Sequence, residues 1–227
     1  ARELAEGGLD RVNVSLDTLR PERFRRITGY DKLPQALEGI EAAVQAELRP
    51  VKLNVVLIKG STEDELFDFV EMARGRELDV RFIEFMPFAE NRWSPERVLP
   101  STELRARIEA RHPLTAVDPP RDGGPARTFR SPGWRGRISF ISPISDRGFC
   151  SRCNRVRMTS EGLLRGCLLN ENEIDFRRAL RSGAGDEELA DLFRRAVRLK
   201  PEEHSYHEQI RDGSAVGPVD GRGMYRI

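Results

Sequence analysis

The chain has 227 residues, 38% hydrophobic and 33% charged, enough for one large domain or two small ones around a buried core. Thirty-eight basic against 37 acidic side chains leave a net charge of +1, so no global field points to nucleic acid or to a membrane surface. No run approaches the ~18 apolar residues of a membrane span and no signal peptide is visible, so the expectation is a cytoplasmic protein.

Residues 2–7 read as the end of a helix closed by Gly7 and Gly8. Residues 11–16 predict a short strand, with Asp17 and Thr18 as a turn and N-cap after it. Leu33, Leu37, Ile40, Val44 and Leu48 recur at three- and four-residue spacing, an amphipathic helix that Pro50 ends. Residues 51–58 are a β-branched run closed by Lys59 and Gly60. Thr62 with Glu65 three positions later predicts a capping box, opening a helix marked by Leu66, Val70 and Ala73. Residues 79–85 predict a third strand, broken at Met86 and Pro87.

This alternation predicts an α/β fold with a parallel sheet and right-handed crossovers, whose sites lie at the C-terminal ends of strands. Three strands are too few for an independent α/β domain. The chain begins at Ala1 inside a helix and reads as a piece of a longer protein whose earlier part supplies further strands.

After Pro87 the character changes, and a domain boundary is expected near residues 88–100. Leu104 and Ile108 mark a short helix, residues 118–125 a loop, and residues 126–130 and 137–142 antiparallel strands. The cysteine segment follows, then residues 173–180, then a helix with Leu189, Leu192, Phe193 and Val197 on one face. From Pro201 the tail is polar and rich in glycine.

The three cysteines, Cys150, Cys153 and Cys167, are spaced C-x2-C-x13-C. An odd count fits a disulfide framework poorly and metal ligation in a reducing compartment well. Cys167 returns across a hairpin for which residues 160–162 are a suitable turn. Structural zinc wants four ligands, and His112, His204 and His207 are the candidates for a fourth, none at the usual spacing. An iron–sulfur cube with three thiolates instead leaves one iron open to a substrate atom. Spacing alone leaves both readings standing.

Between residues 147 and 167 stand five arginines and one acid, Glu161. Arg155 and Arg157, one residue apart beside the cysteines, suit bidentate anion recognition, although a solvated basic strand has the same sequence. Lys52 and Asn54 alternate on one strand face and Arg81 stands in the next strand. In a parallel sheet covered on both faces such residues need partners or a wet, anion-binding cavity. Ser15 and Met86, at the ends of the first and third strands, are placed to meet a ligand or simply to make a turn and fill a core.

The segments Val12-Asn-Val-Ser-Leu-Asp-Thr-Leu19, Lys52-Leu-Asn-Val-Val56, Arg81-Phe-Ile-Glu-Phe-Met86 and Phe149-Cys-x-x-Cys-Asn-Arg-Val-Arg157 with Cys167 resemble, in order and spacing, the radical S-adenosylmethionine GTP 3',8-cyclases of molybdenum cofactor biosynthesis. The resemblance covers nearly the whole chain. It implies an incomplete (β/α) barrel, with residues 1–90 as its later part, and a C-terminal extension, residues 91–227, carrying a second 4Fe–4S cluster and the GTP site. Cys150, Cys153 and Cys167 match the cluster ligands. Lys52, Arg155 and Arg157 match contacts to GTP, with Arg81 a further anion contact, and Ser15 and Met86 match contacts to S-adenosylmethionine. A 5'-deoxyadenosyl radical would abstract the ribose 3' hydrogen of GTP, and the carbon radical would attack C8 of the base. The product would pass to the next enzyme, cyclic pyranopterin monophosphate synthase, and homodimer assembly is a further expectation. The family's C-x3-C-x2-C motif for the radical-generating cluster is absent from these residues, as is its terminal Gly-Gly. The chain as written is therefore expected to be inactive alone. The contrasting readings are another radical enzyme with an auxiliary cluster and a zinc-stabilised nucleic-acid module; neutral charge and the lack of aromatics among the arginines speak against the last.

Overall fold

The computed structural model describes residues 1–88, 91–118, 124–170, 172–204 and 206. Helix α1 (Arg2–Glu6) leads to β1 (Val12–Ser15), α2 (Pro21–Thr28), α3 (Leu33–Gln45), β2 (Val51–Val56), α4 (Leu66–Gly75) and β3 (Leu78–Ile83). Helix α5 (Ser101–Glu109) and strands β4 (Thr115–Val117), β5 (Arg127–Arg130) and β6 (Arg137–Ile141) follow. Strands β7 (Arg157–Met158), β8 (Leu163–Arg165) and β9 (Glu173–Asp175), then α6 (Phe176–Arg181) and α7 (Asp186–Arg198), complete the described elements.

Six strands form one sheet in the order β1-β2-β3-β6-β5-β4. The first four are parallel neighbours and the last two add antiparallel. A parallel-rich mixed α/β sheet of this kind fits the α/β fold expected from the sequence. Residues 126–130 and 137–142 do hold an antiparallel pair, β5 and β6, but β6 also pairs parallel with β3. The sheet therefore continues past residues 88–100. The chain divides into a unit of Ala1–Phe85 with Glu96–Ser145, and a second unit of Met86–Pro95 with the described residues from Asp146 on.

Gly136 lets β6 take that position. A Cβ there would stand 2.3, 2.5 and 2.7 Å from the carbonyl oxygens of Leu78, Arg76 and Ala73. Only glycine allows this approach to the end of α4 and the start of β3. On α4, Leu66, Phe69, Val70 and Ala73 recur at helical spacing and are fully buried against β3 and β6. Burial of a side chain such as Phe69 contributes about 2–3 kcal/mol. The facing rows of the sheet are apolar: Val14, Leu53, Val80 and Ile138 in one register, Val55, Phe82 and Phe140 in the next.

Period-two alternation makes the other face polar. Ser15, Asn54, Arg81 and Ser139 lie side by side in one row, and Asn13, Lys52, Asp79 and Arg137 in the row below.

Several local expectations give way to tertiary bonds. Thr62 and Glu65 make no capping box: the Thr62 hydroxyl accepts the Ile58 N–H at 3.0 Å. Glu65 is wholly buried, and its carboxylate accepts the Thr18 hydroxyl (2.7 Å), the Leu19 N–H (2.5 Å) and Arg23 (2.7 Å). A buried charge needs several donors, and a capping box offers only one. Thr18 is thereby engaged away from any cap, Asp17 accepts the Val56 N–H at 2.8 Å, and α2 starts at Pro21 without a side-chain cap. Leu48 is buried beyond the end of α3, after Glu47 turns the chain at φ 57°. Of residues 118–125, 119–123 lie outside the described residues.

The second unit is a small antiparallel sheet, β7-β8-β9, packed on α6 and α7. Thr159 N–H donates to Leu163 O at 2.9 Å and Gly162 takes φ 78°, closing the hairpin turn that residues 160–162 suggest. Leu164, Ile174 and Ala196 form its core, with Leu192 and Phe176 against them. The inner stripe of α7 thus runs through Leu192 and Ala196. Phe193 and Val197, expected on the same face, are 42% and 47% exposed, because each sits about 100° round the helix from its buried neighbour.

Candidate functional site

Cys150 lies in a 3₁₀ turn, Arg147–Arg152, that Asp146 caps by accepting the Gly148 N–H at 3.0 Å. Asp146 also pairs with Arg152. Cys153 ends the turn, its N–H donating to Cys150 O at 3.1 Å. Cys167 follows β8, two residues after Arg165, which is buried and paired with Glu173. The hairpin therefore returns Cys167 to the first two cysteines, as the spacing suggests. All three are half-buried free thiols close enough to act on one another electrostatically.

Burial pushes the Cys150 and Cys167 thiols up; the His204 N–H and the Lys200 ammonium pull Cys150 back down, and the Leu169 N–H and Lys200 do the same for Cys167. Such thiols keep their protons until a cation displaces them. A cavity of about 600 Å³ lies against Arg147, Cys150, Cys153, Lys200, Glu202 and Glu203.

Among the described residues no three His, Cys, Asp or Glu side chains are grouped to hold a single ion. Three unbridged thiols, of which Cys150 and Cys153 line this cavity, fit the donor set of an iron–sulfur cluster. Of the candidate fourth ligands, His112 packs edge-on against Trp134 in the first unit, and His204 offers its backbone N–H to Cys150. His207 lies outside the described residues.

Arg155 is exposed and Arg157, in β7, half-buried. Among the described residues neither guanidinium has a hydrogen-bond or ion-pair partner, while Arg152 and Arg165 nearby each hold a carboxylate. Charged groups left without partners are available to an anionic ligand.

On the first unit's sheet, Ser15 pairs in register with Asn54, and Lys52 with Asp79. Ser15 is exposed, Lys52 half-buried, and the Asn54 Oδ1 is buried without a hydrogen-bond partner among the described residues. Arg81 is bonded to the buried Asp79 at 3.1 Å, so its charge is already matched by one acid. Met86 belongs to the second unit, its carbonyl accepting Asn91 Nδ2 at 2.8 Å. The fold thus brings Ser15, Lys52 and Arg81 to one sheet face, and the cysteines together with Arg155 and Arg157 into the other unit. No helix among the described residues is long and apolar enough to cross a membrane.

Two family models match: the Radical SAM superfamily over residues 1–73 and Molybdenum Cofactor Synthesis C over residues 78–206. The chain is 45% identical over 221 residues to the GTP 3',8-cyclase of Moorella thermoacetica, covering 97% of this chain and 68% of that protein. The chain belongs to the GTP 3',8-cyclase family.

Another GTP 3',8-cyclase, from Heliobacterium modesticaldum, is 47% identical over 90% of this chain and 63% of its own length. Molybdenum cofactor biosynthesis protein 1 of Mus musculus is 41% identical over 89% of this chain and 32% of its own length. Membership in the GTP 3',8-cyclase family implies 4Fe–4S and S-adenosylmethionine chemistry in general, and it leaves the zinc-stabilised nucleic-acid module without support. Sequence reasoning missed Asp79, bonded to Arg81, and Lys200, bonded across the cysteine segment. A lone acid two residues before Arg81 was the only available signal for the first; nothing in the sequence marks the second.

Proposed function

We propose that this chain carries the GTP-binding part of an enzyme that converts GTP, with S-adenosylmethionine, to (8S)-3',8-cyclo-7,8-dihydroguanosine 5'-triphosphate in molybdenum cofactor biosynthesis. The observation that carries this reading is the presence, in one small unit, of three unbridged thiols and two arginines with no carboxylate partner among the described residues.

In this reading residues 1–90, with β1, β2 and β3, are the later part of an incomplete (β/α) barrel, and residues 91–227 carry the second cluster and the GTP site. Cys150, Cys153 and Cys167 would hold that 4Fe–4S cluster, which would anchor the guanine when bound. Arg155, Arg157 and Lys52 neutralise the triphosphate, with Arg81 a further contact. Ser15 and Met86 meet S-adenosylmethionine. A radical-generating cluster would, when bound, supply the electron that cleaves S-adenosylmethionine. The part played by this chain's own side chains is positional: fixed cations hold the triphosphate, so the ribose stays in place while water is kept away. The product feeds the synthase that makes cyclic pyranopterin monophosphate, and the assembly is a homodimer.

Anaerobic reconstitution of the full-length protein, followed by iron and sulfide analysis and by product analysis after incubation with GTP and S-adenosylmethionine, tests this. Two clusters per chain and a cyclised GTP product are expected. Stoichiometric zinc with no cluster absorbance overturns it.

A further inference from the structure

Lys200, two residues beyond α7, reaches back over the cysteine segment. Its ammonium donates to the carbonyl oxygen of Cys153 and, at 3.5 Å, to that of Arg155. Those carbonyls flank Asn154, the residue between the second cysteine and the first unpartnered arginine. The same end of α7 touches the other arm of the motif. A Cβ on Gly166 would stand 2.4 Å from Ala196 O and 3.4 Å from Lys200 Cβ, so the helix seats flush against the residue before Cys167. One helical turn thus meets both chain segments that carry the thiols.

We propose that Lys200 is a positioning residue for the cysteine motif, clamping the Cys153–Arg155 arm and raising the reduction potential of the iron–sulfur centre those cysteines hold. The proposal rests on the cluster reading above. Reducing a cluster adds negative charge, and a fixed cation beside it favours that state; potentials follow local charge and hydrogen bonding. Lys200 lines the same cavity as Cys150 and Cys153. The acids Glu202 and Glu203 line that cavity as well. The local balance of charge therefore depends on Lys200.

The test is a redox titration, followed by electron paramagnetic resonance, on the anaerobically reconstituted full-length protein. The relevant centre is assigned by its disappearance in Cys167→Ala. Lys200→Met keeps an apolar stem of similar length and removes charge and donors. It is expected to shift the midpoint negative and to speed chelator removal of that centre's iron about tenfold or more. Lys200→Arg is expected to restore both. Should Lys200→Met fail to fold, Lys200→Gln, which keeps a donor without the charge, decides: its midpoint is expected to shift negative. An unchanged midpoint in Met or Gln, or no rescue by Arg, overturns the proposal. A wild-type protein without a cluster at these cysteines overturns the cluster reading instead.

Discussion

Asp79 Oδ2 accepts the Nε–H of Arg81 at 3.1 Å and stands 3.1 Å from a terminal nitrogen of the same guanidinium, while Asp79 Oδ1 accepts the Ser139 hydroxyl at 2.5 Å. Ser139 is in turn bonded to Thr128 at 2.9 Å. The relay crosses β3, β6 and β5 and anchors the guanidinium on the polar face of the sheet.

Removing the acid strands a partly buried cation. Asp79→Ala is expected to cost about 3–5 kcal/mol in urea denaturation, against about 1 kcal/mol for Thr128→Ala at the far end of the relay. Equal losses would mean that Asp79 is no more than another polar contact.

Arg155 and Arg157 are expected to act on the ligand and not on the fold, since neither is tied to another described side chain. Replacing either by alanine should weaken GTP binding in the full-length enzyme by about 1.5–3 kcal/mol, with iron content unchanged. Calorimetric titration with GTP decides, and undiminished affinity removes that arginine from the site.

Gly166 has no room for a methyl group. Gly166→Ala should push α7 off the hairpin at a cost of about 1–3 kcal/mol, seen as faster amide exchange in α7 and weaker iron retention. Gly39→Ala, in open space within α3, should instead stabilise by about 0.5–1 kcal/mol. Similar effects at the two sites would contradict the close approach.

Burial holds the Asp17 carboxyl above its ordinary value of 3.8, and the Val56 N–H only partly offsets this. The folded state then binds the proton more tightly than the unfolded one. This contribution to stability is full below 3.8 and is lost as pH rises through the raised native value. Asp17→Asn, which keeps an oxygen for Val56, should flatten that slope. Urea midpoints across the acidic range check it, and parallel curves for the two proteins would rule out Asp17 as the source.

Much of the fold is legible because its signals are periodic. The apolar spacing of α3 and α4 and the β-branched run of β2 are complete within a few residues, and so is the hairpin turn before Cys167. The parallel pairing of β6 with β3 is not, since it joins residues nearly 60 positions apart through a glycine whose need appears only when the backbones meet. Glu65 shows the limit of motif reading. Its spacing from Thr62 is that of a capping box, yet complete burial commits it to Thr18, Leu19 and Arg23.

By itself, the sequence determined the order of strands and helices, the three cysteines with their arginines, and through these the family. Hydrophobic period and residue spacing are local quantities. The tertiary structure alone decided which charges are matched and which are left over: Arg81 is matched by Asp79, Arg165 by Glu173, and Lys200 is turned onto the cysteine segment, while Arg155 and Arg157 keep no partner among the described residues. Charge pairing depends on register and on close approach between distant segments, and no short stretch of sequence contains either.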